Sequence, residues 1–363
     1  MPLISQVFNI RIIILKNEEH LRTNEGKKEM IEFITQDPIF QNTISQAIFL
    51  IIGFAVLIKG ADIFVNGASN VAYNFKIPTI IVGLTIVAFG TSAPEAAVSV
   101  ASAMQNNTTM AISNVVGSNT FNILGVIGVS ALIGTLTVDK VLIKRDFPFL
   151  IISTIGLLLV AIFYKKIDFL CGIIFLIIIL TYVYYIVKKE KEDEKAMAEK
   201  ANATLTIPKA AIYIIIGLIG IIIGSELVAG GASSIAKSFG MTEKLVGLTI
   251  LAIGTSLPEL ATSISSLRKG DNGMVIGNVL GSNIFNILFI LGLTGVVSSV
   301  FAEIPLKIAQ KLLPDIFIMT ILTIICAGFT YTKSEVDKKE GAVLLALFIL
   351  YMIFTILREY KFI

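Results

Sequence analysis

Long apolar runs, separated by short polar segments, follow one another along most of the chain. A helix needs about 20 apolar residues to cross the hydrocarbon core of a bilayer. Hydropathy averaged over a window of about 19 residues finds ten such runs, near residues 45–72, 77–104, 110–135, 147–164, 168–187, 209–236, 243–267, 274–299, 313–332 and 341–358. The pattern therefore predicts an all-α integral membrane protein with ten transmembrane helices.

Polar residues interrupt two of these runs. GTSAPE at residues 90–95 lies within the second run, and GTSLPE at residues 254–259 lies within the seventh. Proline lacks the backbone N–H that a helix interior requires, so it kinks or breaks the helix. Unwound backbone at membrane depth is tolerated where it is buried in protein or lines a cavity. We therefore expect helices 2 and 7 to be broken, with a polar site at the breaks.

Both interruptions belong to an internal repeat with an offset of 164 residues. Its matching segments are VGLTIVAFGTSAPE at 82–95 with VGLTILAIGTSLPE at 246–259, and SNVVGSNTFNIL at 113–124 with GNVLGSNIFNIL at 277–288. From residue 82 to 128 no gap is needed, and 26 of the 47 aligned residues are identical. Five apolar runs separate equivalent points, and because five is odd, the second copy must enter the membrane from the opposite side. The repeat predicts two inverted five-helix units, residues 44–188 and 209–363, with a substrate site between them.

Two polar segments lie outside the repeat. Residues 1–43 form an N-terminal extension, whose apolar patch at 10–15 is too short to cross a membrane. Residues 189–208 form a charged linker between the two units. Lysine and arginine are more frequent in the loops on the linker's side of the membrane than in those on the other side, as is typical of cytoplasmic loops. We expect a multi-pass protein of the plasma membrane with a cytoplasmic linker and both termini outside.

The composition narrows the chemistry that the membrane region can carry. Hydrophobic residues make up 55% of the chain and charged residues 15%, against about 25% charged in globular proteins. The net charge of +3 gives no reason to expect a nucleic-acid partner. His20, the only histidine, precedes the first run, which excludes a Ser–His nucleophile or a histidine-ligated metal within the membrane. Cys171 and Cys326 lie inside apolar runs and are interpreted as small buried side chains.

The interrupted runs carry oxygen ligands. Thr91 and Glu95 are four residues apart and share a helix face, with Ser92 beside them. The second copy repeats these residues as Thr255, Ser256 and Glu259. Two further pairs at the same spacing add neutral oxygens: Ser118 with Asn122, and Ser282 with Asn286. Such hard oxygens suit Na⁺, Ca²⁺ or Mg²⁺ rather than soft metals. Two glutamates without a Lys or Arg counter-ion in the adjoining helices match the charge of one divalent cation.

A structural hydrogen bond is the alternative role for a polar residue in a transmembrane helix. That alternative stays open for Asp62 and Glu226, which the repeat aligns with each other. Asn119 and Asn283 are expected to cap or bridge helices rather than to bind the ion.

GTSAPE and GTSLPE, each followed by a GSNxFN element, resemble the two alpha-repeats of the cation/Ca²⁺ exchanger superfamily, and specifically the compact prokaryotic sodium/calcium exchangers. The resemblance extends from about residue 45 to the end of the chain. It implies Na⁺-driven Ca²⁺ transport by alternating access and no enzymatic activity. It also implies that Glu95 and Glu259 ligate Ca²⁺ and serve Na⁺, with oxygens from Thr91 and Thr255. The implied Na⁺ sites are completed by Ser92, Ser256, Ser118, Ser282 and the carbonyls of Ala88 and Ala252, while Asn122 and Asn286 line the centre.

The same resemblance bears on the driving ion. Potassium-dependent and some archaeal relatives carry Asp where this chain has Asn286, which argues against K⁺ co-transport. Proton-coupled relatives typically have Asn in place of the Thr-Ser pair, so GTS favours Na⁺. An H⁺-coupled antiporter is the alternative, and a passive cation channel or a hydrolase using Ser92 is less well supported. We expect no cofactor. Ca²⁺ and Na⁺ are the expected transported ions, and the lipid bilayer is expected to surround the protein. The oligomeric state stays open, and a monomer is compatible with this architecture.

Overall fold

The computed structural model describes residues 43–192, 203–240 and 252–359, and these ranges are almost entirely helical. The helices of the first half are α1 (Thr43–Phe75), α2 (Thr79–Thr91), α3 (Ala93–Met104), α4 (Thr108–Ile133), α5 (Leu142–Tyr164) and α6 (Phe169–Glu192). Those of the second half are α7 (Ile207–Ser238), α8 (Ala252–Gly254), α9 (Leu257–Arg268), α10 (Asn272–Phe301), α11 (Leu313–Lys333) and α12 (Lys338–Glu359).

Eight of the described helices are long and apolar enough to cross a membrane. The pair α2 and α3 would make a ninth span, bent by 44° at its break, as GTSAPE predicts. The first part of the predicted seventh span falls at 241–251, outside the described residues, as do residues 1–42 of the extension and 193–202 of the linker. The structure therefore establishes a helical membrane protein with eight or nine described spans.

Glycines bring the two longest helices, α1 and α7, into backbone contact. Gly53, Gly60 and Gly67 on α1 are spaced by seven residues, and so are Gly217, Gly224 and Gly231 on α7. A Cβ added to Gly217 would lie 2.4 Å from the backbone nitrogen of Phe64. Small residues that let two backbones approach closely are typical of helix packing in membranes. The contact therefore depends on residues without side chains.

Helices α4 and α10 form the centre of the protein. Their most apolar windows are 78% and 61% buried, the highest values among the described spans. Each helix contains a five-residue π-helical turn, which begins at Asn122 in α4 and at Asn286 in α10. Such turns are rare and occur frequently at functional sites. The two GSNxFN elements therefore lie in the interior, each with a local break in its α-helical pattern.

Two short antiparallel ribbons connect the two halves of the chain. In the first, β1 (Leu136–Thr137) pairs with β4 (Glu335–Val336). In the second, β2 (Lys166–Ile167) pairs with β3 (Leu306–Lys307). Each ribbon contains one strand from either half, so loops of the two halves are held together at their backbones. The sequence did not predict these strands, since two residues are too few to show a period of two.

Candidate cation-binding site

The two GTSxPE segments form the breaks that position both glutamates. Ser92 precedes α3 and Ser256 precedes α9, with ψ angles of 5° and 10° that lie outside the helical range. Proline follows in the first turn of each helix, where its missing N–H leaves no helical hydrogen bond unmade. Glu95 and Glu259 consequently lie in the first turns, at the ends where the helix dipole favours negative charge. Both side chains are completely buried.

Each glutamate is bound by the serine of the other copy. The Ser256 hydroxyl donates to Glu95 Oε1 at 3.1 Å, and the Ser92 hydroxyl donates to Glu259 Oε1 at 3.2 Å. These bonds join segments 161 and 167 residues apart in the chain. The two interruptions, which lie in different spans, therefore meet at one place.

The remaining side-chain hydrogen bond recorded for these carboxylates among the described residues also comes from a hydroxyl group. Ser118 donates to Glu95 Oε1 at 3.4 Å, while the Thr91 and Ser282 hydroxyls lie close to Glu259. Thr91 and Ser282 also lie 3.5 Å apart, hydroxyl to hydroxyl. Two mutually repelling carboxylates are thus surrounded by neutral groups, an environment that a bound cation would stabilise.

Four buried oxygen atoms have no hydrogen-bond partner within the described ranges. These four belong to residues that the sequence predicts as ligands, and they are Glu95 Oε2, Glu259 Oε2, Asn122 Oδ1 and Asn286 Oδ1, while other buried oxygens without a partner lie on residues outside that set. A buried acceptor without a partner destabilises a protein by about 1–3 kcal/mol, and hard cations bind such oxygens. No group of three or more His, Cys, Asp or Glu side chains is arranged to hold a metal ion in the part of the chain that the structure describes. A cation here would be held by two carboxylates and otherwise by neutral oxygens.

The other predicted ligands differ in their burial and in the hydrogen bonds that they already make. Thr255 is only partly buried, in contrast to the fully buried Thr91. The Ala88 carbonyl accepts from the Ser92 N–H at 3.0 Å and from the Thr91 hydroxyl at 3.3 Å. At the second break, the Ser256 N–H donates to the Ile253 carbonyl at 3.0 Å. The two breaks are related by the repeat but are not identical.

Two asparagines that the sequence did not single out form hydrogen bonds to the backbone of α3 and α9, the helices that carry the glutamates. Asn114 donates to the Glu95 carbonyl at 3.2 Å, and Asn278 donates to the Glu259 carbonyl at 3.3 Å. The signal was present, because both are identical in the repeat and lie four residues before Ser118 and Ser282. Spacings of four place each asparagine on the same helix face as the serine that follows it.

Asp62 and Glu226 do not join the centre. Asp62 Oδ1 accepts a 2.6 Å hydrogen bond from Ser265, and the Asp62 carbonyl accepts one of 2.8 Å from Lys269. Asp62 therefore links α1 to α9 and its C-terminal end, which is the structural role that the sequence left open. Glu226, its aligned partner, is exposed.

The fold and this centre define a class: helical membrane proteins with a buried, oxygen-rich site for hard cations. A family model described as "Sodium/calcium exchanger protein" matches residues 45–188 and 209–357. The chain belongs to the sodium/calcium exchanger family, whose members are membrane antiporters that transport ions. This confirms the resemblance seen in the sequence.

Three known proteins similar to this chain are named as antiporters or sodium/calcium exchangers. "Putative antiporter CaxA" of Alkalimonas amylolytica is 38% identical over 84% of this chain and 96% of its own. "Sodium/calcium exchanger MaX1" of Methanosarcina acetivorans is 38% identical over 30% of this chain and 31% of its own. A structure of the sodium-calcium exchanger NCX_Mj, soaked with Na⁺ and Sr²⁺, has a TM-score of 0.73 and 29% identity, covering 85% of this chain and 98% of that one. The near-complete coverage of NCX_Mj makes this chain an exchanger of the compact prokaryotic type.

Proposed function

We propose that this protein exchanges Na⁺ for Ca²⁺ across the plasma membrane by alternating access. The observation that carries the proposal is the crossed pair of hydrogen bonds from Ser92 to Glu259 and from Ser256 to Glu95. They bring two buried carboxylates, one from each copy of the repeat, to a single centre with unpaired oxygens. Its net charge of −2 when both glutamates are ionised equals the charge that one Ca²⁺ or two Na⁺ would neutralise.

In this proposal Ca²⁺ is bound by side chains of both copies. The ion takes about 6–8 oxygen ligands, and six side chains supply them: Glu95, Glu259, Thr91, Thr255, Asn122 and Asn286. Each carboxylate keeps one oxygen free of serine, and that oxygen would face the cation. No ligand other than the glutamates is charged, so the site cannot balance a divalent ion without both of them.

Na⁺ would use the same glutamates together with neighbouring neutral oxygens. These are the hydroxyls of Ser92, Ser256, Ser118 and Ser282 and the carbonyls of Ala88 and Ala252. A serine that donates its proton to a glutamate retains two lone pairs and can still accept a cation. Because the two ions compete for Glu95 and Glu259, binding of one displaces the other. An unneutralised pair of carboxylates is unfavourable in the membrane, so only the loaded site should exchange sides.

The proposed architecture has ten helices in two inverted units, residues 44–188 and 209–363. The strand pairing supports it, because ten alternating spans put the loops of β1 and β4 on one side and those of β2 and β3 on the other. The excess of Lys and Arg in loops on the linker's side supports a cytoplasmic linker, 189–208, with external termini. The extension, residues 1–43, has no assigned role in transport.

Uptake of radiolabelled Ca²⁺ into Na⁺-loaded proteoliposomes tests the function. We expect uptake when the vesicles are diluted into Na⁺-free medium, and none when Na⁺ is equal on both sides. Glu259→Gln should abolish it, whereas Glu226→Gln, which neutralises an exposed carboxylate outside the centre, should leave it unchanged. Uptake that needs no Na⁺ gradient, or that survives Glu259→Gln, would contradict the proposal.

The same proteoliposomes distinguish Na⁺ coupling from the alternative, H⁺ coupling. An imposed proton gradient without Na⁺ should give no uptake, and a protonophore should not inhibit Na⁺-driven uptake. Uptake that follows the proton gradient and is abolished by the protonophore would assign H⁺ as the driving ion.

A further inference from the structure

Two buried asparagines at equivalent positions of the repeat, Asn119 in α4 and Asn283 in α10, bind each other. The Asn119 amide donates to the Asn283 carbonyl at 3.1 Å, and the Asn283 amide donates to the Asn119 carbonyl at 3.2 Å. Their separation of 164 residues is the offset of the repeat. The pair bridges α4 and α10, as the sequence predicted.

The bridge is symmetric, but its contact with the candidate site is not. Asn286 Nδ2 donates to Asn119 Oδ1 at 2.9 Å. The equivalent contact, from Asn122 Nδ2 to Asn283 Oδ1, is not made, and neither atom has another partner within the described residues. Of the two central asparagines, only Asn286 is held by a neighbouring side chain in this way.

The hydrogen bonds determine which end of the Asn286 amide faces each way. The Asn119 NH₂ group is directed to the Asn283 carbonyl, so its Oδ1 atom remains as an acceptor. Only the NH₂ group of Asn286 can donate to it, since an amide oxygen cannot. Asn286 Oδ1 is thereby turned away from Asn119, where it is buried without a hydrogen-bond partner among the described residues.

We propose that Asn119 is a positioning residue, which orients Asn286 so that its carbonyl oxygen, and not its NH₂ group, faces the transported cation. This inference rests on the proposed function of the site as a Ca²⁺ and Na⁺ centre. An unrestrained amide would also adopt the flipped orientation, in which two N–H groups point at the cation and repel it. Asn119 prevents the flip and thereby sets the affinity for Ca²⁺. A carboxylate at position 286 could not donate to Asn119 Oδ1 when ionised, so the amide at 286 and the amide at 119 are matched.

The repeat provides a matched control for the test. Asn119→Leu and Asn283→Leu each remove one of the two bridging hydrogen bonds from an equivalent position, but only Asn119→Leu releases Asn286. Na⁺-driven Ca²⁺ uptake by the full chain in proteoliposomes gives KM and kcat for each variant. We expect Asn119→Leu to raise the KM for Ca²⁺ by roughly tenfold, the equivalent of about 1.4 kcal/mol. Asn283→Leu should raise it by no more than about twofold, within the scatter of distant effects.

A double-variant cycle with Asn286→Ala distinguishes positioning from general damage. If Asn119 acts through Asn286, adding Asn119→Leu to Asn286→Ala should raise the KM no further, because no amide is left to orient. Equal KM increases for Asn119→Leu and Asn283→Leu, or full additivity of Asn119→Leu with Asn286→Ala, would overturn the inference. Should the leucine variants not fold, Asn119→Ala and Asn283→Ala remove the same groups without adding bulk, and the same criteria apply.

Failure of the proposed function would give a different result. A wild-type protein without Na⁺-driven Ca²⁺ uptake would refute the exchange activity itself. Calorimetric Ca²⁺ binding to the purified full-length variants then tests Asn119 directly. A selective loss of Ca²⁺ affinity in the Asn119 variant supports positioning, whereas unchanged affinity refutes it.

Discussion

The Tyr182 hydroxyl donates a hydrogen bond of 2.7 Å to Asp146, a carboxylate with no exposed surface at the start of α5. Asp146 also accepts from the guanidinium of Arg145 at 2.9 Å. The same arrangement occurs in the second half, where Asp315 at the start of α11 is bound by Arg358 at 2.6 Å and by Tyr351 at 3.4 Å. In both halves the Asp and the Tyr are 36 residues apart. These clusters fasten the last two helices of each half to each other.

Removing the Tyr182 hydroxyl should destabilise the protein. Tyr182→Phe keeps the ring, which stacks on Phe149 with centroids 4.1 Å apart, and deletes only the hydrogen bond. Hydrogen bonds to charged groups contribute about 1.5–3 kcal/mol, so the midpoint of thermal unfolding in detergent should fall. Tyr351→Phe, which loses a longer bond, should have a smaller effect, and Tyr184→Phe, at an exposed position, should have none. Equal midpoints for the Tyr182 and Tyr184 variants would contradict this prediction.

The serines that bind the glutamates should affect affinity rather than transport as such. Ser92→Ala and Ser256→Ala each remove one crossed hydrogen bond and one Na⁺ ligand but leave both carboxylates in place. We expect each to raise the KM for Ca²⁺ or Na⁺ by about 3–10-fold, which corresponds to the net value of one hydrogen bond. Exchange kinetics in proteoliposomes measure the change. Complete loss of activity in Ser92→Ala, with activity retained in Ser256→Ala, would instead favour a nucleophilic role for Ser92.

The sequence was most informative where the repeat is nearly exact. Glu95 and Glu259 could be singled out because two polar interruptions share one offset, and a shared site explains both. The offset does not reveal contacts that break the symmetry. Asp62 bonds to Ser265, and the position equivalent to Ser265 in the first copy is Ala101, so the exposed Glu226 has no corresponding hydroxyl. Alignment therefore predicted an equivalence that the side chains do not share.

Other features escaped the sequence for reasons of length and spacing. The Asp146 and Asp315 clusters are 169 residues apart rather than 164, so the ungapped alignment that ends at residue 128 does not reach them. Their tyrosine partners lie on another helix, and neither hydropathy nor helical periodicity specifies which helices become neighbours. The two ribbons could not be predicted from the sequence either, because their register is set by the loops that the helices bring together.

Glycine at position 217 should be indispensable for the contact between α1 and α7. A methyl group there would lie 2.4 Å from the Phe64 nitrogen, and backbone cannot move aside as a side chain can. We expect Gly217→Ala to lower the yield of folded protein and its midpoint of thermal unfolding. Gly230→Ala is the control on the same helix, because its Cβ would have no neighbour within 4 Å. Comparable yields and midpoints for the two variants would refute a close backbone contact at Gly217.

The ribbons offer a direct test of the inverted architecture. Thr137 and Glu335 are register partners in the ribbon of β1 and β4, and Lys166 and Lys307 are partners in the ribbon of β2 and β3. In a variant without Cys171 and Cys326, single cysteines at these four positions can be treated with a membrane-impermeant maleimide. We expect intact cells to be labelled at 166 and 307 only, and inside-out vesicles at 137 and 335 only, because one helix crosses the membrane between β1 and β2. Register partners labelled from opposite sides would contradict the pairing. Labelling of 137 and 166 from the same side would exclude the ten-helix topology, and the reverse assignment of the two ribbons would place the linker outside the cell.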